Sequence, residues 1–405
     1  MKKTIISKIS ILIILLMLFT FPSLIYGNNH NLFSAKDIHS NHQHEGSSYV
    51  EPSQEGMSEI VLFSIKEKVA SWVKDKKVVG AEILIIKDRK TVFHEVFGWK
   101  DREREIPMEK NTIFRIRSMT KPVIATAVLM LADQEKLKLS DPVAKYLPAF
   151  NNERSKNIRI TQLLYHSGGF SDPGYPKPLI KYKDLREAVD DLGRKGPETE
   201  PGTKFIYSDG GSAALGALVS EISKMPVEQF IQENILDPLG MRDTLTFLAL
   251  DDPLRPRVSS TYETRENEEE FYKYWENTEI QKIPFFRASG GLYSTPVDYA
   301  KFLAMWMDKG QAEGRQFLSP RIIQKALLPG MIPQYGMHWN LLWEDSSESE
   351  EQNNRKLSGF GHLGSDGTLA FAFPEKDIIL LYFSQSRGGE TPIEFLKLAR
   401  EKLID

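Results

Sequence analysis

Two pairs of short, apolar, β-branched runs stand at opposite ends of this 405-residue chain, and they limit the folds open to it. The first pair is Gly80-Ala-Glu-Ile-Leu-Ile-Ile-Lys87 and Thr91-Val-Phe-His-Glu-Val-Phe97, separated by the turn-forming Lys87-Asp-Arg-Lys90. The second is Leu369-Ala-Phe-Ala-Phe373 and Ile378-Ile-Leu-Leu-Tyr-Phe383, joined through Pro374-Glu-Lys-Asp377. Each reads as a hairpin. A helical face of Ile60, Phe63, Ile65, Val69 and Trp72 precedes the first pair, and a helical run from Pro392 to Leu403 follows the second. The sequence between them is rich in helical periodicity. Thr295-Pro-Val-Asp298, for example, reads as an N-cap, a first-turn proline and an acid able to reach back. Tyr299, Phe302, Leu303 and Trp306 then follow at helical spacing. These patterns predict an α/β (α+β) fold. One sheet is built from N- and C-terminal strands and flanked by terminal helices, with a large helical region inserted between its halves.

Outside that frame the N-terminus has its own character. Lys2, Lys3 and Lys8 lead into an apolar run from Ile9 to Phe21, then Pro22 and small residues up to Gly27. Residues 1–27 therefore read as a secretory signal peptide cut after Gly27. An uncleaved anchor is the alternative, and membrane association is expected only if this segment is retained. Residues 28–56 are polar and read as a flexible linker. Its His30, His39, His42 and His44 offer at most a weak metal site, and no acidic partners support one. Order is expected from Met57, so the folded domain is assigned to 57–405. The chain contains no cysteine, so an exported protein of this kind relies on a full-sized core rather than disulfides. A secreted or cell-envelope location in a bacterium is the expectation. The formal net charge of −3 leaves no basic footprint for nucleic acid.

Three segments carry candidate chemistry. Ser118-Met-Thr-Lys121 stands where a strand pattern gives way to a long apolar helix. Residues three apart on a helix share a face, so an amine comes within reach of a hydroxyl near the positive end of the helix dipole. Alone, the pair reads as a capping serine and a solvated lysine, and its surroundings have to argue otherwise. Phe205-Ile-Tyr-Ser-Asp-Gly-Gly211 places Tyr207 at a loop edge before a helix expected from Ser212, where it is either packed on the core or poised beside an amine. Gly361-His-Leu-Gly-Ser-Asp-Gly367 precedes the strand at Leu369, and its glycines allow close backbone approach.

Taken in order, these segments resemble the serine penicillin-recognising superfamily of class C β-lactamases, D-Ala-D-Ala carboxypeptidases and family VIII esterases. Its motifs are S-x-x-K, Y-x-N and a Lys/His-x-Gly triplet on a strand edge. Leu164-Tyr-His-Ser-Gly-Gly169, Asp237-Pro-Leu-Gly-Met241 and Ser289-Gly-Gly-Leu-Tyr-Ser294 add to the likeness, which runs from about Ile60 to the C-terminus. The resemblance implies an antiparallel sheet and a metal- and cofactor-free acyl transfer. It makes Ser118 the nucleophile, Lys121 its helper and Tyr207 the general base. The backbone N–H groups of Ser118 and Ser365 would form an oxyanion hole. Asp209, His362 and Gly364 would line the substrate site.

Two departures bear on substrate. Asp209 replaces the asparagine of Y-x-N, and a carboxylate only accepts hydrogen bonds. It favours a charged Lys121 and leaves Tyr207 as the base. In the triplet, His362-Leu363-Gly364 offers a mostly neutral imidazole and no hydroxyl, so carboxylate recognition is weak there unless Arg287 or Lys204 reaches in. The aromatic residues Tyr272, Tyr274, Trp275 and Phe285 either cap a pocket for an apolar acyl group or anchor a loop. The expected activity is an exported serine hydrolase acting on an ester or small amide, with a small-molecule or peptide acyl substrate. A class C-type β-lactamase or D-Ala-D-Ala carboxypeptidase is the alternative, and a non-catalytic envelope binding protein a further one.

Overall fold

The computed structural model describes residues 48–171, 178–264, 270–344 and 356–405. The proposed signal peptide and most of the proposed linker lie outside the described residues. The chain begins with helix α1 (Glu59–Lys74), strands β1 (Gly80–Lys87), β2 (Lys90–Asp101) and β3 (Ile106–Pro107), and helix α2 (Thr120–Asp133). Further on come α3 (Asp209–Ser223), β4 (Thr261–Thr264), β5 (Phe271–Trp275) and α4 (Pro296–Met307). The C-terminal part supplies β6 (Asn340–Trp343), β7 (Leu357–Gly364), β8 (Thr368–Phe373), β9 (Ile378–Ser384), β10 (Ser386–Arg387) and α5 (Thr391–Ala399).

The two ends of the chain share one seven-stranded sheet, in the order β6-β7-β8-β9-β1-β2-β3. The seam between them is the antiparallel β1–β9 pair, with Leu84 opposite Leu381 and Ile86 opposite Ile379. Lys87 pairs with Lys90 across a two-residue turn in which Asp88 (φ 49°) and Arg89 (φ 62°) are both left-handed. That geometry matches the strand twist and fixes the β1–β2 register.

The central strands β1, β8 and β9 are mostly apolar because both faces are covered. Ile83, Ile85, Leu380 and Tyr382 pack with Ile65, Val69 and Trp72 of α1 and Phe395 of α5. Their sequence neighbours Leu84, Ile86, Ile379, Leu381 and Phe383 point the other way, into a larger core with α2, α3 and α4. The period of two along a strand thus feeds two separate cores.

Four local expectations change. On α1 the buried stripe is Leu62, Ile65, Val69 and Trp72, whereas Ile60 and Phe63 are 82% and 56% exposed. At about 100° per residue, Ile60 and Phe63 fall on the side of the helix away from Leu62 and Ile65. Order also starts before Met57: Val50 N–H donates to the Thr91 carbonyl (3.0 Å), and Pro52–Glu55 form a short helix with Pro52 buried. The segment carrying Tyr272, Tyr274 and Trp275, expected to cap a pocket or anchor a loop, is strand β5, paired with β4, with Phe271 buried. The Asp298 carboxylate does not close a capping box either. It accepts from the Asp243 N–H (2.7 Å), while Thr295 caps α4.

The α1 phase is directly testable. Ile65→Ala should lower the unfolding free energy by about 2–5 kcal/mol, and Ile60→Ala by no more than about 0.5 kcal/mol. Urea unfolding of the two variants gives the comparison.

Candidate active site

Ser118 lies in a single 3-10 turn, Arg117–Met119, that runs straight into α2. The residue before it, Arg117, has φ 48°, a costly conformation for a non-glycine side chain. Three contacts hold the turn in that shape. Ile116 N–H donates to the Leu292 carbonyl (3.1 Å), Leu292 N–H donates to Thr120 Oγ1 (3.1 Å), and Gly364 at the end of β7 presses on Ile116. A Cβ at Gly364 would lie 2.4 Å from the Ile116 carbonyl oxygen, so only glycine lets the strand come this close.

Lys121, one turn along α2, is fully buried. Its Nζ donates to Ser118 Oγ (3.1 Å), Asp209 Oδ1 (2.7 Å) and the Ser289 carbonyl (3.0 Å), and lies 4.6 Å from the centre of the Tyr207 ring. Asp209 opens α3, where its charge also faces the positive end of the helix. The helix begins there, three residues earlier than expected, because the Ser208 hydroxyl caps it by accepting from Gly211 N–H. Burial alone would raise the Asp209 carboxyl, but Lys121 and Arg287 outweigh it and hold it below the ordinary value. Arg287 Nη2 is 3.5 Å from Asp209 Oδ2, so Arg287 does reach the site, whereas Lys204 is exposed.

Tyr207 is half-buried and held by His166. The His166 carbonyl accepts from Ile206 N–H (2.7 Å), its Nδ1 accepts from Ser208 N–H (3.1 Å), and its ring lies tilted against Tyr207 with centres 4.4 Å apart. The tyrosine is thus gripped on both sides along the backbone. Behind it His338 stacks on His166 at 4.7 Å, and His362 Nε2 lies 3.3 Å from Tyr335 Oη. Burial and the Lys121 charge push His362 down to about 3. Burial likewise drives His166 and His338 well below the usual imidazole range. The triplet histidine is therefore a neutral, buried group and not a carboxylate-binding cation.

Ser365 is exposed at the turn after β7, and the next residue, Asp366, is 1% exposed. Asp366 accepts from Arg117 Nε (2.5 Å), Arg387 Nη2 (2.6 Å) and Tyr274 Oη (2.9 Å). Burial would raise its carboxyl, but Arg117, Arg387 and Arg115 hold it far below the usual range. This clamp joins the residue before Ser118 to the residue after Ser365. Sequence reading missed it; an arginine before the serine and an aspartate after Ser365 are visible in the sequence but carry no spacing signal.

The structure thus brings Ser118, Lys121, Tyr207 and Asp209 together, with Gly364 against the Ser118 turn and His362 behind Tyr207. A cavity of about 260 Å³ opens next to them, walled by Arg117, Tyr274, Trp275, Phe286, Arg287 and Gly290 among others. Of the aromatic residues expected to cap a pocket, Tyr274 and Trp275 line it. Phe285 is buried outside the lining, and Tyr272 donates to Glu263 instead.

Residues 65–401 match the model of the family described as Beta-lactamase. The chain belongs to the Beta-lactamase family. Within it, the chain is 26% identical over 316 residues to a putative penicillin-binding protein, PbpX, of Bacillus subtilis, covering 78% of this chain and 73% of that one. A putative D-alanyl-D-alanine carboxypeptidase of Escherichia coli is 24% identical, covering 77% and 80%. In three dimensions the fold matches EstCE1, described as a hydrolase with promiscuous acyltransferase activity, at TM-score 0.68 and 20% identity, over 84% of this chain and 98% of that one. The antiparallel sheet with its inserted helices is therefore the Beta-lactamase-family fold, and membership places this chain among hydrolases.

Two predictions follow the electrostatics. Asp366→Asn leaves Arg117 and Arg387 without their anion, and should cost about 3–5 kcal/mol in urea unfolding. The second concerns pH. A histidine kept neutral by burial takes up a proton more readily when unfolded, so stability is full above about pH 6.5 and falls as pH drops below it. His338→Gln should flatten the fall between about pH 7.5 and 5 by up to about 1.4 kcal/mol per pH unit relative to the parent protein.

Proposed function

We propose that this protein is an exported serine hydrolase that works through a covalent acyl-enzyme on Ser118, with an ester or small amide as substrate. The observation that carries this reading is the Lys121 site: a buried amine 3.1 Å from Ser118 Oγ and paired with Asp209. Asp209 favours the ammonium form of Lys121, which cannot take a proton. Tyr207, as a phenolate beside the Lys121 ammonium 4.6 Å from its ring centre, is then the base. Ser118 Oγ attacks the acyl carbon as its proton passes to Tyr207, and the carbonyl π pair moves onto oxygen. The backbone N–H groups of Ser118 and Ser365 are assigned to that oxyanion, a role commonly worth about 3 kcal/mol per donor. Collapse breaks the bond to the leaving alcohol or amine, which takes the proton back. Water then attacks the acyl-enzyme by the same route and releases the acid and Ser118.

The clamp through Asp366 supports this assignment, since it ties together the two segments that carry the donors. The neutral, buried His362 favours esters over β-lactams, because the triplet supplies no cation for a β-lactam carboxylate. A D-Ala-D-Ala carboxypeptidase is the second reading, favoured by the likeness to the Escherichia coli relative.

Steady-state kinetics on a panel of short-chain p-nitrophenyl esters, a cephalosporin and a D-Ala-D-Ala peptide separates these readings. The expected result is ester turnover well above that of the other two, and a loss of at least about 10³-fold in Ser118→Ala. Turnover that survives Ser118→Ala removes the mechanism, and preference for the peptide makes the protein a carboxypeptidase.

A further inference from the structure

The cavity beside the catalytic residues has a charge pattern that ester or amide hydrolysis does not require. Its wall contains Arg115, Arg117, Arg255, Lys282 and Arg287, against one acid, Glu279. Most of these cations have settled partners. Arg117 is held by Asp366, Arg287 lies 3.5 Å from Asp209, and Arg255 donates to the backbone carbonyls of Leu248 and Ala249. Arg115 is different. Among the described residues its guanidinium makes no hydrogen bond or ion pair; it lies flat over Trp275, 4.3 Å from the ring centre, and its buried Nη1 has no partner. Burial and the neighbouring Arg117 work against its charge, and Asp366 only partly offsets them. Lys282 is exposed and forms no ion pair among the described residues. Trp275 and Phe286 supply apolar wall between these charges.

A partly buried guanidinium that makes no hydrogen bond is costly, and a carboxylate or phosphate is a partner its fork fits. The cavity adjoins the site through Arg287, a wall residue whose Nη2 lies 3.5 Å from Asp209 Oδ2. We propose that the cavity is an anion-binding subsite, selecting esters or amides that carry a carboxylate or phosphate group a few carbons from the scissile carbonyl. This rests on Ser118 being the acylated residue. The anion meets Arg115 and Lys282, and the intervening carbons lie against Trp275 and Phe286. The His362 triplet takes no part.

The test compares three p-nitrophenyl esters of equal chain length: a hydrogen glutarate, its phosphonate counterpart and a neutral valerate. The expected result is a kcat/KM at least about tenfold higher for an anionic ester than for the neutral one. That preference shrinks between about 50 and 500 mM salt, and falls at least about fivefold in both Arg115→Gln and Lys282→Gln. Whichever anion is preferred distinguishes a carboxylate from a phosphate substrate. Thermal melting checks that Arg115→Gln folds, and Lys282→Gln, at an exposed position, carries the comparison if it does not. Equal kcat/KM for neutral and anionic esters overturns the subsite, as does a preference that survives substitution. Failure of the Ser118 reading looks different: either no ester is turned over or turnover persists in Ser118→Ala. In that event, isothermal titration of glutarate and phosphonate into the Ser118→Ala protein decides the subsite. Saturable binding weakened by Lys282→Gln supports it, and absence of binding overturns it.

Discussion

A lysine with no solvent exposure needs acceptors supplied by the fold, and Lys121 finds them on three separate stretches of chain. Ser118 comes from the turn before α2, Asp209 from the first residue of α3, and the Ser289 carbonyl from the segment ahead of α4. A buried cation left without its anion costs several kcal/mol. The three stretches therefore fold onto one point, and that point is where the hydroxyl sits. The same arrangement that satisfies the charge orients the serine.

Around this point the structure supports itself through close approach and counter-charge. The β7 end can press against Ile116 because Gly364 has no side chain, and Asp366 then locks Arg117 from the other side. The strained φ of Arg117 persists because it is clamped at both its backbone neighbour and its guanidinium. The two-faced sheet supplies the rigidity. Its β1–β9 seam closes the chain on itself and holds β7, two strands away, in a fixed register with β8.

Much of this was legible in the sequence because it depends on local pattern. The four strand runs predicted a sheet shared by both ends of the chain, and helical spacing placed α4 and its core face. Ser118, Lys121, Tyr207 and Asp209 stood out by motif order, and they do converge. What spacing does not encode was missed. On α1 two residues were assigned to the wrong face: Ile60 and Phe63 lie around the helix from Leu62, Ile65, Val69 and Trp72, and are exposed. Arg117–Asp366 joins residues 249 apart in sequence, and nothing local to either one announces it. The aromatic run from Tyr272 to Phe285 was read as a loop, although Phe271–Trp275 pairs as a strand; its acidic flanks masked the alternation. The cationic cavity is also a tertiary property, formed where Arg115, Lys282 and Arg287 meet.

The central claim is that the buried Lys121 network makes Ser118, and no other hydroxyl, the nucleophile. Peptide mapping by mass spectrometry after brief exposure to a fluorophosphonate tests it most directly. The account predicts one adduct, on the peptide containing Ser118, and at least about a hundredfold slower labelling in Lys121→Ala. An adduct on a different residue, or equal labelling of Lys121→Ala, would contradict it.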